Sequence, residues 1–236
     1  MKKSIKIAII VLFVAVLGYG VYYMTDYYPA ESSVSSMINS NNVSVINTTN
    51  GLLLDGPGCD TALIFYPGAK VEYTAYIPLL MELSNNNVDC FIVKMPFNLA
   101  FIGSDSADDL ISNHSYNYSN WYIGGHSLGG LAASSYTTKH NDNIKGLILL
   151  ASYPTEKVDN NVLSIYGSED KILNKEKYEE SKKFLPDNYT EYVINGANHA
   201  QFGAYGRQEN DGAATISLDM QINQTCDEIL KFINGV

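Results

Sequence analysis

The chain has 236 residues, 46% of them hydrophobic, which suffices for one full core and leaves no room for a second large domain. Its formal net charge is −10 and its pI about 4.7, with Arg207 as the sole arginine and no basic cluster outside the N-terminus, which excludes a nucleic-acid binder. Cys59, Cys90 and Cys226 have neither CxxC nor zinc spacing, so neither a metal site nor a disulfide framework is expected.

Lys2, Lys3 and Lys6 precede an uncharged apolar run over residues 7–24. As a helix its eighteen residues extend roughly 27 Å, close to a hydrocarbon core. The lysines on one side, with Asp26, Glu31 and Tyr22, Tyr23, Tyr27 and Tyr28 on the other, predict a single-pass anchor in the cell membrane, with the domain outside the cytoplasm. A signal peptide cut after Gly18-Tyr19-Gly20, giving a secreted protein, and a buried helix of the domain are the alternatives. Residues 1–28 thus form the anchor, 29–42 a linker or an initial helix against the domain, and 43–236 the domain.

Within the domain, residues 43–46 and 51–54 pair around the turn-rich 47–50. A buried strand over 61–66 ends at Pro67-Gly68-Ala69, and Tyr76, Leu79, Leu80 and Leu83 mark a helix over 72–84. A strand over 89–95 and a helix over 104–111 follow, then a strand at residue 121 onward and a helix to about 140. Strands over 144–151, 162–166 and 190–194 enclose a helix over 174–184, and a helix over 213–233 ends the chain. This alternation predicts an α/β fold, a mostly parallel sheet with helices on both faces. Cys59 lies just before the 61–66 strand and Cys90 at the start of the 89–95 strand, which leaves one disulfide open.

The domain is organised around Trp121-Tyr-Ile-Gly-Gly-His-Ser-Leu-Gly-Gly130, in which Gly125 and Gly129 flank Ser127 where a strand turns into a helix. That context puts a hydroxyl at a helix N-terminus, where amides favour negative charge. His126, the neighbour of Ser127, reads as a packing or hydrogen-bonding residue. A serine nucleophile needs a base, and the base an orienting acid. Elbow hydrolases place them in the order Ser, acid, His. Of four histidines only His199 follows a late strand, and Asp170, with Glu169 as runner-up, follows the strand end at Gly167. The oxyanion donors are the amides of Leu128 and Ala69. Lys70 is read as a substrate contact or a solvated charge, Phe97 as a pocket wall or core. The glycine-rich loop with Phe202 and Arg207 lines the pocket, Arg207 meeting a substrate carboxylate, or is structural with Arg207 paired to a protein carboxylate.

Together, Gly125-His-Ser-Leu-Gly129, Gly167-x-x-Asp170 and His199 resemble the α/β-hydrolase superfamily over residues 43–236. Phe65-Tyr-Pro-Gly-Ala69 and Gly196-x-x-His199-x-x-Phe202-Gly203 resemble small bacterial serine hydrolases related to dienelactone hydrolases and carboxylesterases. Ser127 stands where dienelactone hydrolases proper carry Cys, and no insertion after residues 144–151 builds a lid. The resemblance implies a cofactor-free serine hydrolase acting on a small or lipid-like ester, thioester or amide. An envelope acyltransferase with the same triad and a non-catalytic binding protein on this fold are the alternatives.

Overall fold

The structure is a computed structural model describing residues 3–38, 42–58 and 60–235. In chain order its elements are α1 (Lys3–Thr25), α2 (Val34–Met37), β1 (Ser44–Thr48), β2 (Gly51–Asp55), β3 (Thr61–Tyr66), α3 (Ile77–Asn85), β4 (Asp89–Val93), α4 (Ser106–Ile111) and β5 (Asn120–His126). They continue as α5 (Leu128–Lys139), β6 (Gly146–Leu150), β7 (Asn161–Gly167), α6 (Lys175–Ser181), β8 (Thr190–Ile194) and α7 (Leu218–Asn234). One sheet runs β1-β2-β4-β3-β5-β6-β7-β8, antiparallel at β1–β2 and β2–β4 and parallel thereafter.

Side-chain alternation along each strand splits the core into two layers. Leu63 and Phe65 of β3 join Leu79, Leu80 and Leu83 of α3 and Ile222, Cys226 and Ile229 of α7 on one face. Ala62, Ile64 and Tyr66 join Ala132, Ala133 and Tyr136 of α5 on the other. The expected final helix starts later than residue 213, because the Ser217 side chain caps it by accepting from Met220 N–H. The expected 72–84 helix opens as a 3₁₀ turn, Tyr73–Tyr76, before α3.

Of the alternatives for residues 29–42, the initial helix forms: α2 packs Val34 into the core. In α1, Ile5–Tyr23 is long and apolar enough to cross a membrane and its side chains are exposed, so it is not a core helix of the domain. The Cys59–Cys90 pairing lies outside the described residues, since Cys59 is not among them.

The turn from β5 into α5 depends on missing side chains. A Cβ on Gly125 would come within 2.7 Å of the Gly130 nitrogen, and one on Gly129 would overlap the Tyr66 and Pro67 carbonyl oxygens. Backbone cannot yield as a flexible side chain does. Gly129→Ala is therefore expected to lower the unfolding free energy by about 1–3 kcal/mol, read from urea midpoints, and an unchanged midpoint would refute the packing argument.

Candidate active site

Ser127 occupies the N-cap of α5 with φ 54° and ψ −122°, a conformation that costs a non-glycine residue about 1–3 kcal/mol. The surroundings hold it there. Its N–H donates to Leu150 O at 2.9 Å, and its carbonyl accepts from the Ser152 hydroxyl at 2.7 Å. Sequence reasoning missed Ser152.

His199 lies on the loop after β8 and is only 1% exposed, so it is not a surface histidine. Its Nδ1 is 2.8 Å from Asp170 Oδ2, while Asp170 Oδ1 accepts the amides of Ile172 and Leu173 at 2.8 Å each. Asp170 thus both caps its own loop and holds the imidazole. An ionised carboxylate only accepts, so Nδ1 carries the proton and Nε2 is left as the basic nitrogen. Glu169 takes a hydrogen bond from its neighbour Ser168 at 3.0 Å and does not reach His199.

The histidine loop is pinned from α7. Asn198 N–H donates to Gln221 Oε1 at 3.1 Å, and Gln221 Nε2 donates back to Asn198 O at 2.9 Å. Asp211 Oδ2 accepts the Ala200 amide at 2.9 Å. One signal for this was present in the sequence: Gln221 and Thr225 sit among Ile222, Cys226 and Ile229 on the buried face of α7.

The loop after β3 presents one amide. Gly68 N–H donates to the Tyr76 hydroxyl at 2.9 Å and Lys70 N–H to Asn98 O at 2.8 Å. Between them, the Ala69 N–H has no partner among the described residues. Leu128, first residue of α5, has its N–H outside the intrahelical ladder. Leu128 lines the cleft that Ser127 and His199 share with Leu131, Tyr153 and Ile172, a hollow of about 210 Å³, whereas Ala69 is not among the residues lining it.

The other expected pocket residues do not line that cleft. Lys70 is neither a lone solvated charge nor aimed at Ser127: its Nζ pairs with Asp26 at 2.9 Å and lies 4.1 Å from the Tyr23 ring centre. Phe97 is neither pocket wall nor core; it is 59% exposed in a left-handed conformation. Phe202 is buried against His126, and Arg207 is exposed with no carboxylate partner among the described residues, beside hollows flanking residues 206–212.

His126 is buried, as a hydrogen-bonding residue would be. The Tyr76 hydroxyl, which accepts from Gly68, is 2.9 Å from His126 Nδ1, and the His126 and His199 rings are 4.4 Å apart. Tyr76 thus links the Ala69 loop to the wall behind His199 through hydrogen bonds to Gly68 N–H and His126 Nδ1. Burial, and next the His199 ring, hold the His126 pKa well below the usual imidazole range. A histidine that stays neutral when folded but takes a proton when unfolded lowers stability as pH falls below about 6.5, by up to roughly 1.4 kcal/mol per pH unit. Urea midpoints at pH 7.5 and 5.5 should therefore separate more for the natural chain than for His126→Gln. Equal separations would refute this.

A sequence model described as the alpha/beta hydrolase family matches residues 62–223. No curated protein matches the chain by sequence. Among solved structures the chain is similar to Est1E from Butyrivibrio proteoclasticus, at 15% identity and TM-score 0.56 over 82% of this chain and 100% of that one. It is similar to naproxen esterase (carboxylesterase NP) from Bacillus subtilis, at 13% identity and TM-score 0.59 over 86% and 95%. An epoxide hydrolase from Vigna radiata is comparably similar, at 10% identity and TM-score 0.60 over 82% and 98%, so structural likeness at this distance carries the fold alone. The family match spans the strands and loops that carry Ala69, Ser127, Asp170 and His199, and the chain belongs to the alpha/beta hydrolase family.

Proposed function

We propose that the chain is a serine esterase, or a hydrolase of a related thioester or amide, working through Ser127, His199 and Asp170. The observation that carries this is the 2.8 Å bond between buried His199 and Asp170 beside a cleft that His199 shares with Ser127. In this reading Ser127 Oγ attacks the substrate carbonyl as His199 Nε2 takes its proton. The amides of Leu128 and Ala69 hold the oxyanion, each worth about 3 kcal/mol in the transition state. His199 returns the proton to the leaving group, and water, deprotonated by His199, releases the acyl group.

The connection from β6 to β7, residues 151–160, lines the cleft with Ala151, Ser152 and Tyr153 and is too short to add a lid domain, and in this proposal water is the acceptor of the acyl group. Residues 1–28 anchor the domain outside the cytoplasmic membrane in the same proposal. A fluorophosphonate should label the full chain at Ser127, located by mass spectrometry of peptides, and an intact chain that never labels would refute the nucleophile. Added alcohols should yield little transfer product; a dominant ester product would favour the acyltransferase.

A further inference from the structure

The end of α1 is strapped to one particular edge of the domain. In a parallel sheet the loops after β3, β4, β5, β7 and β8 leave the same edge, which here carries Ala69, Ser127, Asp170 and His199. The chain emerging from α1 meets two of these loops, those after β3 and β8. Tyr28 N–H donates to Lys70 O and Glu72 N–H donates to Tyr28 O at 2.9 Å, forming a short parallel bridge to the Ala69 loop. Glu31 N–H donates to Ala204 O at 2.8 Å, and the Tyr28 ring packs 5.7 Å from that of Tyr205, beyond His199. Lys70 reaches back to Asp26 and to the ring of Tyr23, the last residue of the apolar span. On the loops after β4, Phe97 and Ile102 are 59% and 49% exposed.

We propose that the catalytic edge is held against the bilayer surface and that the substrate is a membrane-resident acyl ester, its chain left in the bilayer while its carbonyl enters the cleft. This rests on the esterase and anchor readings above. Because Lys70, next to Ala69, contacts the end of the span, the oxyanion loop sits at interfacial depth, where lipid ester carbonyls lie. The cleft of about 210 Å³ is below the roughly 300–1,000 Å³ that encloses a whole small ligand, so it takes the reacting end only. Exposed Phe97 and Ile102, costly in water, gain an apolar environment in that orientation. The reaction itself balances as hydrolysis: the bond from the acyl carbon to Ser127 Oγ forms as that to the lipid alcohol breaks. The Ser127 proton passes through His199 to the alcohol, and water then splits the acyl enzyme into free acid and serine.

The test uses the full chain in phosphatidylcholine vesicles, with 4-methylumbelliferyl oleate in the bilayer and p-nitrophenyl acetate in solution. A Gly/Ser insertion of about ten residues after Thr25, roughly 17 Å across, lets the edge leave the surface while the Tyr28 strap stays intact. The insertion is expected to slow oleate hydrolysis about tenfold or more and leave acetate hydrolysis within about twofold. Equal oleate rates in both chains, or a natural chain that cleaves acetate and ignores oleate, would overturn the membrane substrate and leave the esterase standing. Loss of both activities together with fluorophosphonate labelling would overturn the esterase reading itself. Independently, Ile102→Trp should be quenched by brominated lipid and Asn143→Trp, on the loop entering β6 at the opposite edge, should not. Equal quenching would overturn the orientation.

Discussion

Replacing Ser127 by alanine is expected to lower kcat/KM toward p-nitrophenyl acetate on the order of 10³-fold or more and to abolish fluorophosphonate labelling. Alanine removes only Oγ. The backbone at φ 54° is kept by the Leu150, Leu131 and Ser152 hydrogen bonds, all of which use main-chain atoms of residue 127. Stability should therefore stay near that of the natural chain. Ser127→Gly separates chemistry from strain: it is equally inactive, yet glycine adopts positive φ without penalty, so its unfolding free energy should rise by about 1 kcal/mol. A Ser127→Ala chain retaining most of its activity would return the fold to the non-catalytic reading.

Asp170→Asn should cost about 10⁴-fold in kcat while leaving the fold intact. The asparagine carbonyl can still accept the Ile172 and Leu173 amides, so the cap survives. Its NH₂ group then faces His199 Nδ1 and donates where the carboxylate accepted. The imidazole proton is forced onto Nε2, which can no longer take the proton of Ser127. Glu169→Gln, at the neighbouring half-buried carboxylate that accepts from Ser168 and does not reach His199, should change kcat by less than about twofold. A large effect at Glu169 with little at Asp170 would reverse the assignment made from the 2.8 Å contact.

Much of the fold was legible from local pattern. The buried strand over residues 61–66 and the strand over 190–194 were read with the bounds that the structure has, because short apolar or β-branched runs bounded by turn residues signal strands. The start of α7 was misplaced because 213–216 contain no breaker. The helix begins at Leu218 because the Ser217 side chain supplies a cap, and one serine among several candidates carries no mark in the sequence.

For the candidate site, the sequence by itself determined the order Ser127, Asp170, His199 and the glycines that a sharp strand-to-helix turn requires, since both are properties of chain order and backbone sterics. Tertiary structure decided which nearby groups share the cleft. Lys70, Phe97, Phe202 and Arg207 are all adjacent in sequence to loops of the catalytic edge, yet none lines the Ser127 hollow. Lys70 instead pairs with Asp26, 44 residues away, and Tyr76 links Gly68 to His126, 50 residues from Tyr76. Side-chain direction and long-range pairing follow from how loops pack after the sheet has formed, and local periodicity holds no record of them.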